Sequence, residues 1–332
     1  MTTPTPRPAT IDKLADAVYP SFAMLAGMQL DLFTPLQDGP MSAEQIAEAL
    51  KVNPAKLRPL LYALVAAGLL TVKDGLFSNT PEADYFLVQG KPTYRGGIHE
   101  RLLRGWNGML ETAETIRIGI PQARVDYSAM SEDELESVYR GIHPEAVAAG
   151  RNLVARYDFA SYRSLLDVGG GSGGLAITVA EACPHLRATV VDLPTVTLIT
   201  RRYVAEAGAA DRVQVMTADV VSGPLTGSFD VAVLRSFVQV LSPDQARRAL
   251  RNVSRVIDSG GAIYILGSIL DNSRLSPPDI VVSNLHYLVM YDGGQAFTEQ
   301  EHRDWLAEAG FEDFERVVLP NKTSIVTAKK PA

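Results

Sequence analysis

A single cysteine, Cys183, stands in a chain of 332 residues. No internal disulfide can form, and no zinc site of clustered thiolates is available. The five histidines are scattered and show no H-E-x-x-H or Cys/His spacing, so no metal centre is expected. No Ser-His-Asp order or G-x-S-x-G elbow marks a hydrolase. No apolar run reaches the length of a membrane span. The polar, proline-rich opening MTTPTPRPAT has no signal-peptide core behind it. A cytoplasmic protein with no membrane partner is the expectation. Positive charge is also short, since 31 Lys and Arg against 38 Asp and Glu leave a formal net charge of -7. An acidic surface argues against nucleic acid as the main partner. What remains is ordinary globular composition, 46% apolar and 21% charged, enough for one large domain or two.

The first ten residues read as a disordered tail. From Ile11 to about Tyr162 the pattern is helical, with apolar residues at three- and four-residue spacing through Leu14, Ala17, Val18, Phe22, Leu25 and Ala26. Ser42 and Gln45 have capping-box spacing ahead of QIAEALKV. Asn53-Pro54 starts a second helix that stops at Gly68. LLTVKDGLFSNT reads as a hairpin turning at Asp74-Gly75. Helix, helix and hairpin outline a winged helix, which either binds DNA or serves as a dimerising module. The second helix offers only Lys56 and Arg58 as cations, too few for a recognition helix.

From Ser164 the period changes. SLLDVG, ATVVDLP, RVQVMTADV, FDVAVLRSF, AIYILGS, FEDFERVVLP and TSIVTAKK read as short apolar strands, most of them separated by helices. That pattern predicts an α/β fold, a doubly wound, Rossmann-like parallel sheet covered on both faces. The expected domains are 11–160, helical and winged-helix-like, and 161–332, the sheet, with the boundary near Asp158 to Arg163.

The densest signal is LLDVGGGSGG, in which a strand ends, glycines follow and a helix begins at Leu175. Glycines there let the chain turn tightly and let a ligand lie against the backbone. Asp167 precedes Gly169 and Gly171, Asp192 ends the next strand, and Asp219 ends the one after. A carboxylate at the second strand end bonds ribose hydroxyls in NAD enzymes and in methyltransferases alike. The third carboxylate discriminates, because it can accept from an adenine amino group.

On these residues the chain resembles the class I methyltransferases that use S-adenosyl-L-methionine (SAM). More narrowly, it is similar to the plant-type and bacterial small-molecule O-methyltransferases over nearly its whole length. The resemblance implies a homodimer joined through the winged-helix region, which also serves as an acceptor lid. It implies SAM held by Asp167, Gly169, Gly171, Asp192, Leu193, Asp219 and Val220, with Arg235 near the cofactor's carboxylate or adenine edge. It also implies a histidine after the fourth strand that takes a proton from a phenol. Here Gln239 stands at that position and Val240 at the next acid, while Ala296 replaces the supporting glutamate. No histidine lies between His185 and His286.

A proton acceptor is needed only when the nucleophile must lose a proton early. A thioether sulfur has none to lose. The resemblance therefore points to base-free, in-line transfer, with Gln239 positioning the acceptor. One subgroup of the family fits, the enzymes that S-methylate 4-methylthio-2-hydroxybutyrate on the way to dimethylsulfoniopropionate. Two other readings stay open: O- or N-methylation of an aromatic natural product, with His286 as substitute base, and a relative that binds SAM without transferring methyl. Candidate acceptor contacts are Arg101, Arg104, Trp106, Tyr139, Arg140, His143, Gln239, His286, Tyr287 and Tyr291. Tyr139, Arg140 and His143 are expected just before the helix PEAVAAGRNLVARY. Phe237 and Met290 are expected among the apolar residues that exclude water.

Overall fold

The structure, a computed structural model, describes residues 7–91, 93–95 and 98–332, with backbone alone at 98, 100 and 101. Most of the expected tail therefore lies outside the described residues, as does the side chain of Arg101. Contacts divide the chain into two compact units between Leu103 and Arg104.

The first unit opens with α1 (Ala9–Asp16) and α2 (Val18–Gln29), which leave Ile11, Leu14 and Tyr19 exposed. Strand β1 (Met41–Ser42) leads into α3 (Ala43–Leu50). Ser42 accepts from the Gln45 N–H, and the Gln45 side chain accepts from the Ser42 N–H. Asn53 accepts from Ala55 and Lys56 at the start of α4 (Pro54–Ala66). Strands β2 (Leu70–Lys73) and β3 (Leu76–Asn79) pair across Asp74 and Gly75, whose φ angles of 51° and 78° suit a tight hairpin. β1 adds to β3, and α5 (Pro81–Leu87) follows. Phe33, Ile46, Leu61, Leu64, Leu70 and Phe77 fill the core of this winged helix.

Helix α6 (Ile98–Leu110) carries the chain into the second unit, followed by α7 (Thr112–Ile118). Helix α8 (Glu132–Arg156) starts at a capping box of Ser131 and Glu134. It runs unbroken through Pro144, so Tyr139, Arg140 and His143 lie inside a helix rather than ahead of one. The capped first turns hold the helix although Pro144 donates no backbone bond.

The sheet follows: β4 (Ser164–Val168), α9 (Gly174–Ala182), β5 (Arg187–Asp192), α10 (Pro194–Glu206), β6 (Val213–Thr217), β7 (Phe229–Arg235), α11 (Pro243–Ser254) and β8 (Ile257–Gly267). Then come α12 (Pro278–Met290), α13 (Glu299–Glu308), β9 (Glu312–Val318) and β10 (Ser324–Lys329). Strand order is β6-β5-β4-β7-β8-β10-β9, doubly wound about β4. The sheet is mixed rather than all parallel, because β10 runs antiparallel to both β8 and β9. Residues 319–323 join β9 to β10, too short a link for a parallel crossover. Alternate residues face two cores. Leu166 and Val168 share one core with Leu250, Val253 and Trp305, while Leu165 shares the other with Leu153, Leu175 and Val179.

The expected boundary near residue 160 followed the change of period. Contacts group 104–160 with the sheet instead, because α8 packs along α9. Their approach is close at Gly150, where a Cβ would stand 2.9 Å from Thr178 Cβ and 3.0 Å from the Leu175 carbonyl. Gly150→Leu should therefore lower stability by about 1–3 kcal/mol through overpacking. Urea unfolding checks this, and an unchanged midpoint would show that the two helices can part freely.

Candidate active site

The carboxyl ends of β4, β5, β6 and β7 lie side by side and carry Asp167, Asp192, Asp219 and Arg235 at or just beyond them. Such strand ends, at the point where strand order reverses, are where doubly wound sheets bind ligands. Between β4 and α9 the chain makes its glycine turn, with φ of +62°, +59° and +73° at Gly169, Gly171 and Gly173. A Cβ at Gly169 would stand 2.4 Å from the Phe237 ring, and one at Gly171 would stand 2.5 Å from the Tyr139 ring. Glycine is thus required twice over, by backbone conformation and by the rings lying against it.

Neighbours pin the turn. The Gly169 N–H donates to the Val191 carbonyl at 2.8 Å, and Thr200 Oγ1 donates to the Gly171 carbonyl at 2.6 Å. His143 Nδ1 and Ser172 Oγ share a hydrogen bond of 2.8 Å, and the His143 ring lies 4.4 Å from that of Tyr203. Partial burial lowers the His143 pKa, so the ring is neutral at physiological pH. Its contacts are with the glycine turn and α10.

Asp167 is 1% exposed, and neither of its carboxylate oxygens meets a hydrogen-bond partner among the described residues. Burial pushes its pKa up to about 7, against the pull of Arg235, with the push of Asp192, and against a backbone N–H from Ala176 too poorly placed to count as a full hydrogen bond. Asp192 accepts from the N–H groups of Gly171 and Leu193, each at 2.8 Å. Loss of solvent still raises its pKa to about 6. Arg235 reaches Glu145 of α8 at 3.4 Å. Exposed Asp219 folds its own turn, accepting from the Val221 N–H at 2.9 Å and from Ser222 Oγ at 2.5 Å. Val220, three residues past the end of β6, turns its side chain into the core cluster that also holds Leu225 and Val253, which leaves its backbone at the strand end. Leu193 packs with Tyr139 and Val196.

Past β7, Ser236 takes a left-handed φ of 53° and turns the chain away from the sheet. Strain of this kind gathers at functional sites. Gln239 follows in a 3₁₀ turn, 6% exposed. A Cβ at Gly267 would stand 2.6 Å from Gln239 Oε1, and one at Gly294 would stand 2.7 Å from the Gln239 carbonyl. Fully buried Ala296 donates its N–H to Asn284 Oδ1 at 2.7 Å. On α12, Tyr287 donates to Ser268 Oγ at 3.1 Å, and its ring lies 6.3 Å from Tyr291 and 5.9 Å from His286. His286 faces α6, where a Cβ at Gly105 would lie 3.7 Å from it. Burial raises the phenol pKa values of Tyr127, Tyr139 and Tyr291 and keeps all three protonated. Arg104 is exposed and within electrostatic reach of Tyr127 and Glu134, and Trp106 is half-buried on α6.

The structure thus gathers Asp167, Gly169, Gly171, Asp192, Leu193 and Tyr139, brings Tyr291 and Tyr127 beside them, and sets Gln239 two residues past Phe237. Tyr127, Thr200 and Glu145 were missed. Tyr127 lies in a stretch without periodicity, and the other two act through long-range contacts that no local pattern announces.

A doubly wound sheet with a glycine turn and carboxylates at three neighbouring strand ends defines a SAM-dependent methyltransferase. Residues 115–312 match the model of an O-methyltransferase domain, and residues 12–89 match an O-methyltransferase dimerisation domain. The chain belongs to this O-methyltransferase family. It is 30% identical over 333 residues to 3-hydroxy-5-methyl-1-naphthoate 3-O-methyltransferase of Streptomyces sahachiroi, covering 97% of this chain and 95% of that protein. It is 28% identical to the tetracenomycin polyketide synthesis 8-O-methyl transferase TcmO of Streptomyces glaucescens, over 98% and 97% of the two chains. The fold matches PigF with SAH at a TM-score of 0.86, with 24% identity over 98% of this chain and 100% of that one. It matches human N-acetylserotonin methyltransferase in complex with SAM at 0.85, with 21% identity over 100% of both.

An unfolded aspartate ionises near 3.8, whereas folded Asp167 ionises at about 7. Between these values the folded chain keeps a proton that the unfolded chain has released. Its stability is therefore full below about pH 3.8 and falls as pH rises towards 7. Asp167→Asn should raise the stability of the cofactor-free protein by about 2–4 kcal/mol at pH 8 and leave it nearly unchanged at pH 4. Urea unfolding at both values tests this, and an equal effect at both would remove the ionisation argument.

Proposed function

We propose that this enzyme moves the methyl group of SAM to a small acceptor whose reacting atom needs no deprotonation, with the thioether sulfur of a small acid as the first candidate. Gln239 carries the reading. It is a buried amide at the position where the family resemblance calls for a histidine, and an amide accepts no proton at neutral pH. Ala296, at the supporting acid's position, bears only a methyl group.

The residues present fit the cofactor. Asp167 is a buried carboxylate whose oxygens meet no well-formed hydrogen bond among the described residues, suited to a ligand that carries positive charge, and the turn at Gly169 and Gly171 carries no side chains of its own, only the rings of Phe237 and Tyr139 against it. Asp192 would accept from ribose hydroxyls with its remaining lone pairs. Asp219 would accept from the adenine amino group, and Arg235 would face the methionine carboxylate. Leu193 would line the adenosine, while Val220 could offer only backbone. When bound, SAM supplies an electrophilic methyl on a sulfonium. Gln239, Tyr287 and Tyr291 would hold the acceptor in line, His286 and Arg104 would meet its carboxylate, and Phe237, Met290 and Trp106 would exclude water. The acceptor sulfur would form the new S–CH3 bond with its own lone pair as the donor's S–CH3 bond breaks, the donor sulfur keeping that electron pair as a neutral thioether and the acceptor becoming the sulfonium, so no proton leaves. Tyr139 and His143, set against the glycine turn, would act on the cofactor side.

A homodimer is part of the proposal. It is supported by the dimerisation-domain match and by exposed Ile11, Leu14 and Tyr19. A second reading, methylation of an aromatic natural product, draws on the names of the naphthoate and tetracenomycin relatives.

Incubation with SAM and either 4-methylthio-2-hydroxybutyrate or hydroxylated naphthoates, followed by mass spectrometry, separates the two. A sulfonium product supports the first reading. Methylated phenols alone overturn it, and no product from any acceptor would favour a SAM-binding relative without transfer activity. Gln239→Ala should raise KM for the acceptor while SAM affinity stays nearly constant. Asp192→Ala should weaken SAM by roughly 1.5–3 kcal/mol, about 10- to 150-fold. Equal effects of both on SAM, read by calorimetry, would contradict this division of the site.

A further inference from the structure

The segment between α7 and α8 delivers an aromatic ring that none of the motifs announced. Ala123 and Val125 donate to the carbonyls of Val289 and Met290 at the end of α12, each at 3.0 Å, and Arg124 pairs with Asp292 at 2.8 Å. From the other side, Thr195 in the first turn of α10 donates to the Tyr127 carbonyl at 2.9 Å. Tyr127 is thus fixed between the two helices that flank the site. Its ring centre lies 6.4 Å from that of Tyr139, tilted 36°, and its phenol interacts with that of Tyr291. Tyr139 in turn lies against Gly171, within the field of Asp192.

We infer that Tyr127, Tyr139 and Tyr291 form a cage of ring faces that recognises the positive charge of the cofactor's sulfonium. The inference rests on assigning the glycine turn and Asp192 to the cofactor, and not on the identity of the acceptor. Sulfur is the atom that joins the methionine chain to the ribose. A ring that touches the turn and neighbours the ribose carboxylate therefore stands at that junction. A sulfonium has no N–H or O–H to donate, so no hydrogen bond can satisfy it. Its charge is met by a nearby carboxylate or by π faces. Both oxygens of Asp192 already receive backbone N–H groups, and Asp167 lies buried beneath Gly170, so neither carboxylate meets the charge face to face and the rings act beside them. Burial keeps the phenols protonated, so they contribute neutral rings rather than phenolates. The cage would hold the cation SAM more tightly than its neutral demethylated product.

Calorimetric titration of the whole protein with SAM and with S-adenosylhomocysteine, without acceptor, tests this. Tyr127→Leu should weaken SAM by about 3- to 30-fold and S-adenosylhomocysteine by less than about twofold. Tyr127→Phe keeps the ring face and should preserve the ratio of the two affinities. If Tyr127→Leu does not fold, Tyr291→Leu gives the same comparison. Equal losses for both ligands, or a Phe variant as impaired as the Leu variant, would overturn the cage and leave the ring a packing element. Because no acceptor is present, this outcome is independent of the acceptor question. Failure of the unmodified protein to bind either ligand would strike the cofactor assignment itself.

Discussion

A carboxylate near the end of β4, 1% exposed and met by no well-formed hydrogen bond among the described residues, is an expensive thing to keep. Asp167 cannot relax toward solvent, because Leu166 and Val168 on either side anchor β4 in the core. The turn after it is shaped around it. A Cβ at Gly170 would stand 2.7 Å from the Asp167 carboxyl carbon and 2.7 Å from Val190. Arg235 relieves the charge in part but is itself drawn to Glu145 on α8. Asp192, one strand over, adds a second negative charge. The strand ends therefore present an unbalanced negative field in a place of low solvent access, where a cation is worth more than it would be at the surface.

That field is framed by elements far apart in the chain. Helix α8 supplies Tyr139, His143, Glu145 and Gly150 within about three turns, so one continuous helix presses a ring on Gly171, bonds Ser172, meets Arg235 and closes on α9. Had the helix begun at Pro144, Tyr139 and His143 would sit in a loop without fixed spacing. The capping box at Ser131 and Glu134 thus bears on the site although it lies outside it. On the far side, Ser236 turns the chain so that Phe237 covers Gly169 and Gln239 lies under Gly267.

Much of this could be read from residue types in order. Ser42 with Gln45, Asn53-Pro54 and Asp74-Gly75 act within a few residues, and each behaves as local physics requires. The glycine turn and the three strand-end acids were legible because strand, turn and helix follow one another directly. Four features were not. The start of α8 was hidden by Pro144, which marks a helix start more often than an interior. The antiparallel placement of β10 depends on which strand edge is free, a property of the whole sheet. Val220 was named by its neighbour Asp219, yet the turn after β6 sends its side chain to the core. Tyr127 escaped because its position is set by bonds to α12 and α10 and not by any pattern of its own.

The ionisable groups around the turn share one tendency. Burial keeps the phenols of Tyr127, Tyr139 and Tyr291 protonated, and it keeps His143 neutral. Gln239 cannot titrate. Asp167 and Asp192 are the groups that gain or lose a proton near neutrality, and each becomes more fully ionised when a cation lies beside it. The site sets two carboxylates and three neutral phenol rings around one turn, while position 239 holds an amide that accepts no proton. It is well suited to fixing where positive charge sits. A reaction whose difficulty is placement, in which a cationic methyl donor must meet a neutral lone pair along one axis, needs that and little more.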